Sequence, residues 1–331
     1  MARTRTPPAQ LRALALFAAA MLVAPLLLDS YLLSVLILVL YFAYVGQAWN
    51  VMTGFAGQLS LGHSLYLGLG AYVSAALFVR WGVAPTLGLF VGMALAALAG
   101  LVVGGLGFRF GVKGVYFALL TIAFAEFTRI LFDHLDWVGG ASGLFLPVQH
   151  GALDPLALRG PPSMFYYLLL ALNAGAFLLC HALLTSRVGY YWLAIREDPE
   201  AAAAMGIDIF RYRLIAVALS AAMTSLAGVF YAFYYNTLYP EQIFSTERSI
   251  EAILAPIVGG IGTLFGPVVG AFLLTLLGRA TTWALEATGM ALPGAKQIIQ
   301  GLVLLLVIMV LPTGVWPWLR RRLGLEPPQD E

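Results

Sequence analysis

Charge is what this chain has least of. Asp, Glu, Lys and Arg make up 10% of its 331 residues, where a soluble domain carries about 25%. Between Ala13 and Val79 the one charged residue is Asp29, a stretch with room for about three membrane spans of roughly 20 residues each. A soluble globular fold is excluded on this ground. Cysteine is nearly absent as well. The single Cys180 rules out an internal disulfide framework and a cysteine-rich metal site. Lysine occurs twice, as Lys113 and Lys296, and neither stands in a G-x-x-x-x-G-K-[ST] phosphate loop, so the chain lacks this nucleotide-binding motif. No Ser/His/Asp or metal-ligand spacing supports an intramembrane enzyme.

What is present is apolar. Hydrophobic residues make up 61% of the chain, with 35 glycines and a mean hydropathy of +0.89. In lipid every backbone polar group needs an internal partner, and uninterrupted runs of this length meet that need as helices. The expected fold is an all-α polytopic membrane bundle, one domain over 1–331, with about eight to ten transmembrane helices. Apolar segments lie at 13–28, 31–53, 56–79, 83–108, 114–132, 163–185, 214–238, 252–278 and 297–315. Arg3, Arg5 and Arg12 before the first of them have the look of a secretory signal. No small-residue cleavage site follows before Tyr31, which favours a retained first span.

The positive-inside rule orients the bundle. If the N-terminal arginines are cytoplasmic, Arg109 and Lys113 fall on the same side, as does the 187–213 connection with Arg187, Arg196, Arg211 and Arg213. The 133–162 loop, with Asp133, Asp136 and Asp154 against Arg159 alone, is then external. The tail, 316–331, carries Arg320, Arg321 and Arg322 and also belongs inside, which nine spans do not allow. Something between 251 and 291 must enter and return to the same face. Gly259, Gly260, Gly262, Gly266 and Pro267 are the helix breakers that would permit a discontinuous or re-entrant segment there. A second break is expected at Gly54, Gly57 and Gly62, which bracket Gln58, Ser60 and His63. Gly62, Gly70, Ala71 and Tyr72 are echoed at the same spacing by Gly262, Gly270, Ala271 and Phe272, a pattern compatible with an inverted repeat.

One polar island stands out, AIREDPEAAAAMGID at 194–208. Asp198 suits an N-cap, Pro199 the first helical position and Glu200 the positive end of the dipole, while Gly206 suits the C′ position. A helix of about two turns needs a docking surface to be stable. Read locally, it is equally a solvated connection with good caps.

The string from Ser186 to Asp208 resembles the cytoplasmic coupling loop of permease subunits in ATP-binding-cassette importers, specifically the branched-chain amino-acid group. GFAGQLSLGHSLYLGLGAY at 54–72, VYFALLTIAFAE at 115–126 and GGIGTLFGPVVGAF at 259–272 resemble three further stretches of that group, in the same order, and the GQLSLGH form resembles the larger of its two paired permeases. Tyr190–Tyr191 and Ala141–Ser142 depart from the pattern. The resemblance implies a permease in a bacterial inner membrane that moves branched-chain amino acids. Its partners would be a homologous second permease, two ATPase subunits holding ATP and Mg, an extracytoplasmic solute-binding protein and membrane lipid, with no nucleic acid and no cofactor of its own. Arg196, Glu197, Asp198, Glu200 and Gly206 would form the ATPase contact. Related permeases carry urea, short amides or aromatic compounds, and an ion-coupled carrier or channel, or a membrane scaffold, remains the alternative class.

Gln58, Ser60 and His63, with Tyr66 and Glu126, are the candidate solute-pathway residues, because broken helices expose backbone dipoles suited to a zwitterion. The alternative is that Gln58 and Ser60 satisfy the backbone freed by the glycines and that His63 bonds a neighbouring carbonyl. Glu126 and Arg129, one turn apart, suit either a structural or a gating pair. Gly262, Gly266 and Gly270 read as a small-residue packing row, and Asn173 and His181 as interhelical hydrogen bonds.

Overall fold

The computed structural model describes residues 8–147, 154, 158–287 and 294–322. The expectations for Arg3, for Arg5 and for 323–331 lie outside the described residues, as does part of the 133–162 loop. Among the described residues six helices are long and apolar enough to cross a membrane: Ser30–Phe55, Pro85–Arg109, Val115–Asp133, Pro162–Leu184, Ile209–Tyr235 and Gly266–Ala284.

The helix α1 (Pro8–Leu27) stops just before Asp29, which caps α2 (Ser30–Asn50) by accepting the Leu32 amide at 2.9 Å. The α2 helix runs without a break into a π-helical turn, Val51–Phe55. The apolar run at 56–79 is not one span. Residues 56–63 are irregular and α3 (Ser64–Trp81) follows, because Gly57 at φ 70° cannot continue a right-handed helix. The α4 helix (Pro85–Arg109) buries a row of small residues, Gly88, Gly92, Ala96, Gly100 and Gly104, and turns Phe90, Leu98 and Leu106 outward. This is the composition of a helix with lipid on one side and close neighbours on the other. Those neighbours are α3 and α9 (Ile209–Tyr235), which form the centre of the bundle. They cross so closely that a Cβ at Gly70 would stand 2.1 Å from the Ser225 carbonyl oxygen. The α5 (Val115–Asp133) and α6 (Pro162–Leu184) helices flank this centre. Asn173 of α6 donates to the Leu40 carbonyl of α2 at 2.9 Å and accepts from Gln47 at 3.3 Å. His181, expected to act likewise, is exposed.

The 187–213 connection holds α7 (Arg187–Glu197) and α8 (Pro199–Ala204). After α9 come α10 (Pro240–Ile243), α11 (Thr246–Gly259) and α12 (Gly266–Ala287), then α13 (Ala295–Val310) and α14 (Val315–Arg322). The expected span 252–278 is therefore two helices. They pack antiparallel, with Gly259 against Gly266 and Ala255 against Gly270, and 260–265 reverses the chain. Gly262 sits in that turn at φ 75°, so the row Gly262–Gly266–Gly270 is not a helical stripe. Only its last two members lie on α12. This hairpin adds one reversal that a count of nine spans misses. A two-residue antiparallel pair, Leu144–Phe145 (β1) with Thr237–Leu238 (β2), ties the 133–162 loop to the chain leaving α9.

Candidate functional site

The polar island folds as its residues suggest. Asp198 Oδ1 accepts the amides of Glu200 (2.9 Å) and Ala201 (3.1 Å). At the other end Gly206, at φ 81°, donates to the Ala203 carbonyl while Ile207 donates to that of Ala202, the paired closure of a Schellman motif. What the sequence reading missed is α7. Its signals are Ser186 as an N-cap, accepting the Gly189 amide at 3.5 Å, and the helical spacing of Val188, Trp192 and Ile195. Trp192 and Ile195 are fully buried, and the Trp192 indole donates to the Tyr212 carbonyl at 2.8 Å. The α7 helix is thus anchored to the start of α9, while Met205 at the end of α8 is 83% exposed.

Arg196, in the last turn of α7, reaches away from the island. Its Nη1 donates to the Gly54 carbonyl at 2.6 Å, while Nη2 donates to Glu197 at 2.9 Å. Gly54 lies in the π-helical turn, where widened helical geometry leaves carbonyls available. Next to it, a Cβ on Gly57 would meet the Arg196 Cγ at 2.9 Å. The other break arrives at the same place. Asn50 Nδ2 donates to the Thr263 carbonyl at 2.9 Å, and Asn50 Oδ1 accepts the Gly262 amide at 2.8 Å. A Cβ on Gly262 would stand 2.6 Å from Arg196 Nη1. Thr263 Oγ1 in turn donates to the Gly260 carbonyl at 2.8 Å and accepts the Gly266 amide at 3.0 Å. One side-chain guanidinium therefore sits where the 187–213 connection meets both glycine-rich breaks. Asn50 and Thr263 were not singled out from the sequence. The trace they leave is an amide at the end of an oily helix and a lone threonine among glycines.

Of the residues expected to line a pathway, Gln58, Ser60, His63 and Tyr66 are enclosed, and Glu126 is not. Gln58 donates to the Ala56 carbonyl at 3.0 Å, and the Ser60 carbonyl accepts the Trp49 indole at 2.8 Å. His63 lies between two hydroxyls rather than on a carbonyl: Nδ1 is 3.0 Å from Ser60 Oγ and Nε2 is 2.9 Å from Ser220 Oγ. Ser220 gives its one proton to the Ala48 carbonyl at 2.7 Å, so Nε2 must carry the hydrogen and Nδ1 accepts from Ser60. The resulting chain, Ser60 to His63 to Ser220 to Ala48, joins break, α9 and α2. Thr121 of α5 accepts the Leu61 and Gly62 amides at 3.1 and 3.2 Å and holds the break from the other side. Tyr66 is buried with its ring edge-on to His63 at 5.4 Å. Glu126 is bound twice to Arg129 Nε at 3.0 Å, and Arg129 also holds Asp133 at 2.7 Å. The Glu126 carboxylate is about half exposed and that of Asp133 is not, and the triad takes no part in the His63 network. Among the described residues no cluster of His, Cys, Asp or Glu could hold a metal ion.

Interrupted helices knitted to each other by side-chain amides, and to a capped polar connection by one arginine, define a class: a multi-pass membrane permease subunit. The chain belongs to the family described as the branched-chain amino acid transport system permease component, whose model matches residues 31–308. Its relatives include the high-affinity branched-chain amino acid transport system permease protein LivM of Escherichia coli, 28% identical over 87% of this chain and 71% of that protein. The LivH permease of the same organism is 28% identical over 39% of this chain and 40% of that protein. The autoinducer 2 import system permease LsrC of Klebsiella pneumoniae is 28% identical over 66% of this chain and 60% of that protein. No solved structure matches this chain.

Proposed function

We propose that this chain is the larger of two permease subunits in an ATP-driven importer of the bacterial cytoplasmic membrane, and that it carries branched-chain amino acids into the cytoplasm. Similarity to LivM over most of the chain, and to LivH over part of it, supports the solute class and the paired architecture. The single observation that carries the mechanism is Arg196 on the Gly54 carbonyl. Separate ATPases, holding ATP and Mg, would bind the corner between α7 and α8 through Glu197, Asp198, Glu200 and the exposed Met205. Their closure would move α7 together with the start of α9, since Trp192 fixes the two. Arg196 would pass that motion to the first break, and Asn50 would pass it to the second. The external 133–162 loop and the cytoplasmic tail follow from the same orientation. Gly70 and Gly270, matched across the supposed inverted repeat, both mark places where a helix approaches a carbonyl, of Ser225 and of Ala255. The reading of α11 as a re-entrant half-helix is supported instead by its 14 residues, about 21 Å of helix and short of a full span.

An ion-coupled carrier is the runner-up. It needs a carboxylate free to hold an ion, and Glu126 is already tied to Arg129. The deciding experiment reconstitutes the chain alone, and then with its partner permease, the ATPases and the binding protein, and measures leucine uptake and ATP hydrolysis. ATP-dependent uptake by the complex and none by the isolated chain is the expected result. Uptake by the isolated chain under an ion gradient would refute the proposal.

A further inference from the structure

The turn at 260–265 is held from two directions. Asn50 and Arg196 reach it at Gly262, and α14 covers it at Gly260. The chain enters α14 through Gly314, buried and at φ 93°, where a Cβ would collide with the Gly260 backbone. A Cβ on Gly260 would in turn stand 3.0 Å from the Pro317 ring, and Trp316 packs on Phe265 with ring centres 4.7 Å apart. One side of this eight-residue helix therefore faces the second break. The other side has no protein against it. Trp318 is 39% exposed, and Arg321 and Arg322 are exposed with it. The Arg322 guanidinium lies 5.6 Å from the centre of the Trp318 ring, and Arg321 Nε donates to the Pro317 carbonyl at 3.4 Å. With Arg320 these make three cations in the last turn of a helix that contains no acid. Among the described residues no carboxylate pairs with Arg321 or Arg322.

The height of α14 follows from the contacts of the turn it covers. Gly54 is the last residue but one of the Ser30–Phe55 span, and Arg196 bonds its carbonyl while lying against Gly262. The turn is thus level with the end of that span, and α14 beside it is level with the lipid headgroups. An exposed tryptophan next to arginines at this height has the chemistry of a membrane interface, where the ring settles among headgroups and the guanidinium groups meet phosphate.

We propose that α14 is a binding site for anionic phospholipid headgroups, and that the bound lipid steadies the second break. Headgroups on Arg320, Arg321 and Arg322 fix α14, and α14 fixes Gly260 through Gly314 and Pro317. The charge of the leaflet then sets how firmly the turn grasped by Asn50 and Arg196 is held. The effect on transport rests on the function proposed above; the lipid contact does not.

The first arm of the test needs no transport. The purified chain is placed in nanodiscs of phosphatidylcholine, or of an equal mixture with phosphatidylglycerol, and hydrogen–deuterium exchange is followed over 315–322. Phosphatidylglycerol should slow exchange there by at least about threefold, and high salt should reverse the slowing. Arg320→Gln with Arg321→Gln and Arg322→Gln should remove the lipid effect, whereas the three corresponding Arg→Lys changes should keep most of it. Arg109→Gln with Lys113→Gln and Arg187→Gln, which removes as many cations elsewhere, should leave it intact. The second arm places the full complex in proteoliposomes of the same two compositions. Leucine taken up per ATP hydrolysed should be at least about twofold higher with phosphatidylglycerol, and the glutamine triple should lose that difference. Equal exchange in both lipids, or a glutamine triple that still responds to phosphatidylglycerol, would refute the lipid site. Protection of α14 that appears only when the ATPases are added would also refute it and make the arginines a subunit contact. Slowed exchange with uptake equal in both lipids would refute the hold on the second break. A wild-type complex with no ATP-driven uptake in either lipid would overturn the transport reading, while exchange in the nanodiscs still decides the lipid site.

Discussion

Replacing Arg196 with Gln should uncouple ATP hydrolysis from uptake while leaving the complex assembled. A hydrogen bond with a charged donor contributes about 1.5–3 kcal/mol. The Arg196 side chain is 34% exposed, so water competes and the lower part of that range, about 1.5–2 kcal/mol, applies. At about 1.4 kcal/mol per decade this is roughly a 10- to 30-fold shift in the balance between a loop that holds the first break and one that slips past it. Arg196→Lys should behave as an intermediate, because an ammonium lacks the fork that lets the guanidinium hold Gly54 and Glu197 together. Glu197→Gln separates the two contacts of this arginine: it breaks the outer, solvent-facing pair, worth about 0–1 kcal/mol, and leaves the Gly54 bond in place, so any loss it causes should appear as ATPase release in the pull-down and not as a changed ratio with the ATPases bound. The measurement is leucine molecules taken up per ATP hydrolysed in proteoliposomes, with an ATPase pull-down alongside. An unchanged ratio in Arg196→Gln, with the ATPases still bound, would refute the idea that this arginine carries the motion.

Three further outcomes are expected. His63→Ala removes a ring held by two hydroxyls and strands the Ser60 proton in a buried site, so the purified protein should lose about 3 kcal/mol of stability. Its thermal midpoint should fall and its activity should follow the folded fraction; normal stability with abolished uptake would place His63 in the solute path instead. Gly206→Val meets no neighbouring atom but must hold a left-handed conformation at about 1–2 kcal/mol, so uptake should fall with the ATPases still captured, and Gly206→Asn should be milder. Gly70→Val should abolish folded protein on size-exclusion chromatography by prising α3 from α9, whereas Gly105→Val, whose Cβ meets nothing within 4 Å, should behave as wild type.

The sequence is most legible where the physics is local. The N-cap, the first-turn proline and the C′ glycine of α8 lie within nine residues, and the hydropathy of Pro85–Arg109 or Ile209–Tyr235 is continuous. It is least legible where hydropathy hides geometry. Ile257, Val258, Ile261, Leu264 and Phe265 keep the run through the second break as oily as a span, so an apolar window passes over the reversal at 260–265. The charges of α11 mislead in the opposite direction. Glu247, Arg248 and Glu251 look like connection residues and push the expected span to begin at 252, although the helix starts at Thr246. Contacts between distant residues leave no trace in either pattern. Gly54 and Arg196 are 142 positions apart, Asn50 and Gly262 are 212 apart, and nothing in composition or spacing joins them.

The identity of residue 50 matters to how the two breaks behave. A side-chain amide both donates and accepts, and Asn50 uses both capacities on the same turn, giving a proton to the Thr263 carbonyl and taking one from the Gly262 amide. An aspartate could only accept, and its charge would face the Thr263 oxygen. With asparagine the two segments are held at two points rather than one, so neither can turn about a single bond. The Arg196 guanidinium leans on this clasp from the outside, close to Gly262 and bonded to Gly54. A displacement applied at α7 therefore cannot move the first break alone. Either both breaks shift together, or the two Asn50 bonds are lost at about 1 kcal/mol each. That cost exceeds thermal energy, RT ≈ 0.6 kcal/mol, so the concerted movement is the cheaper path.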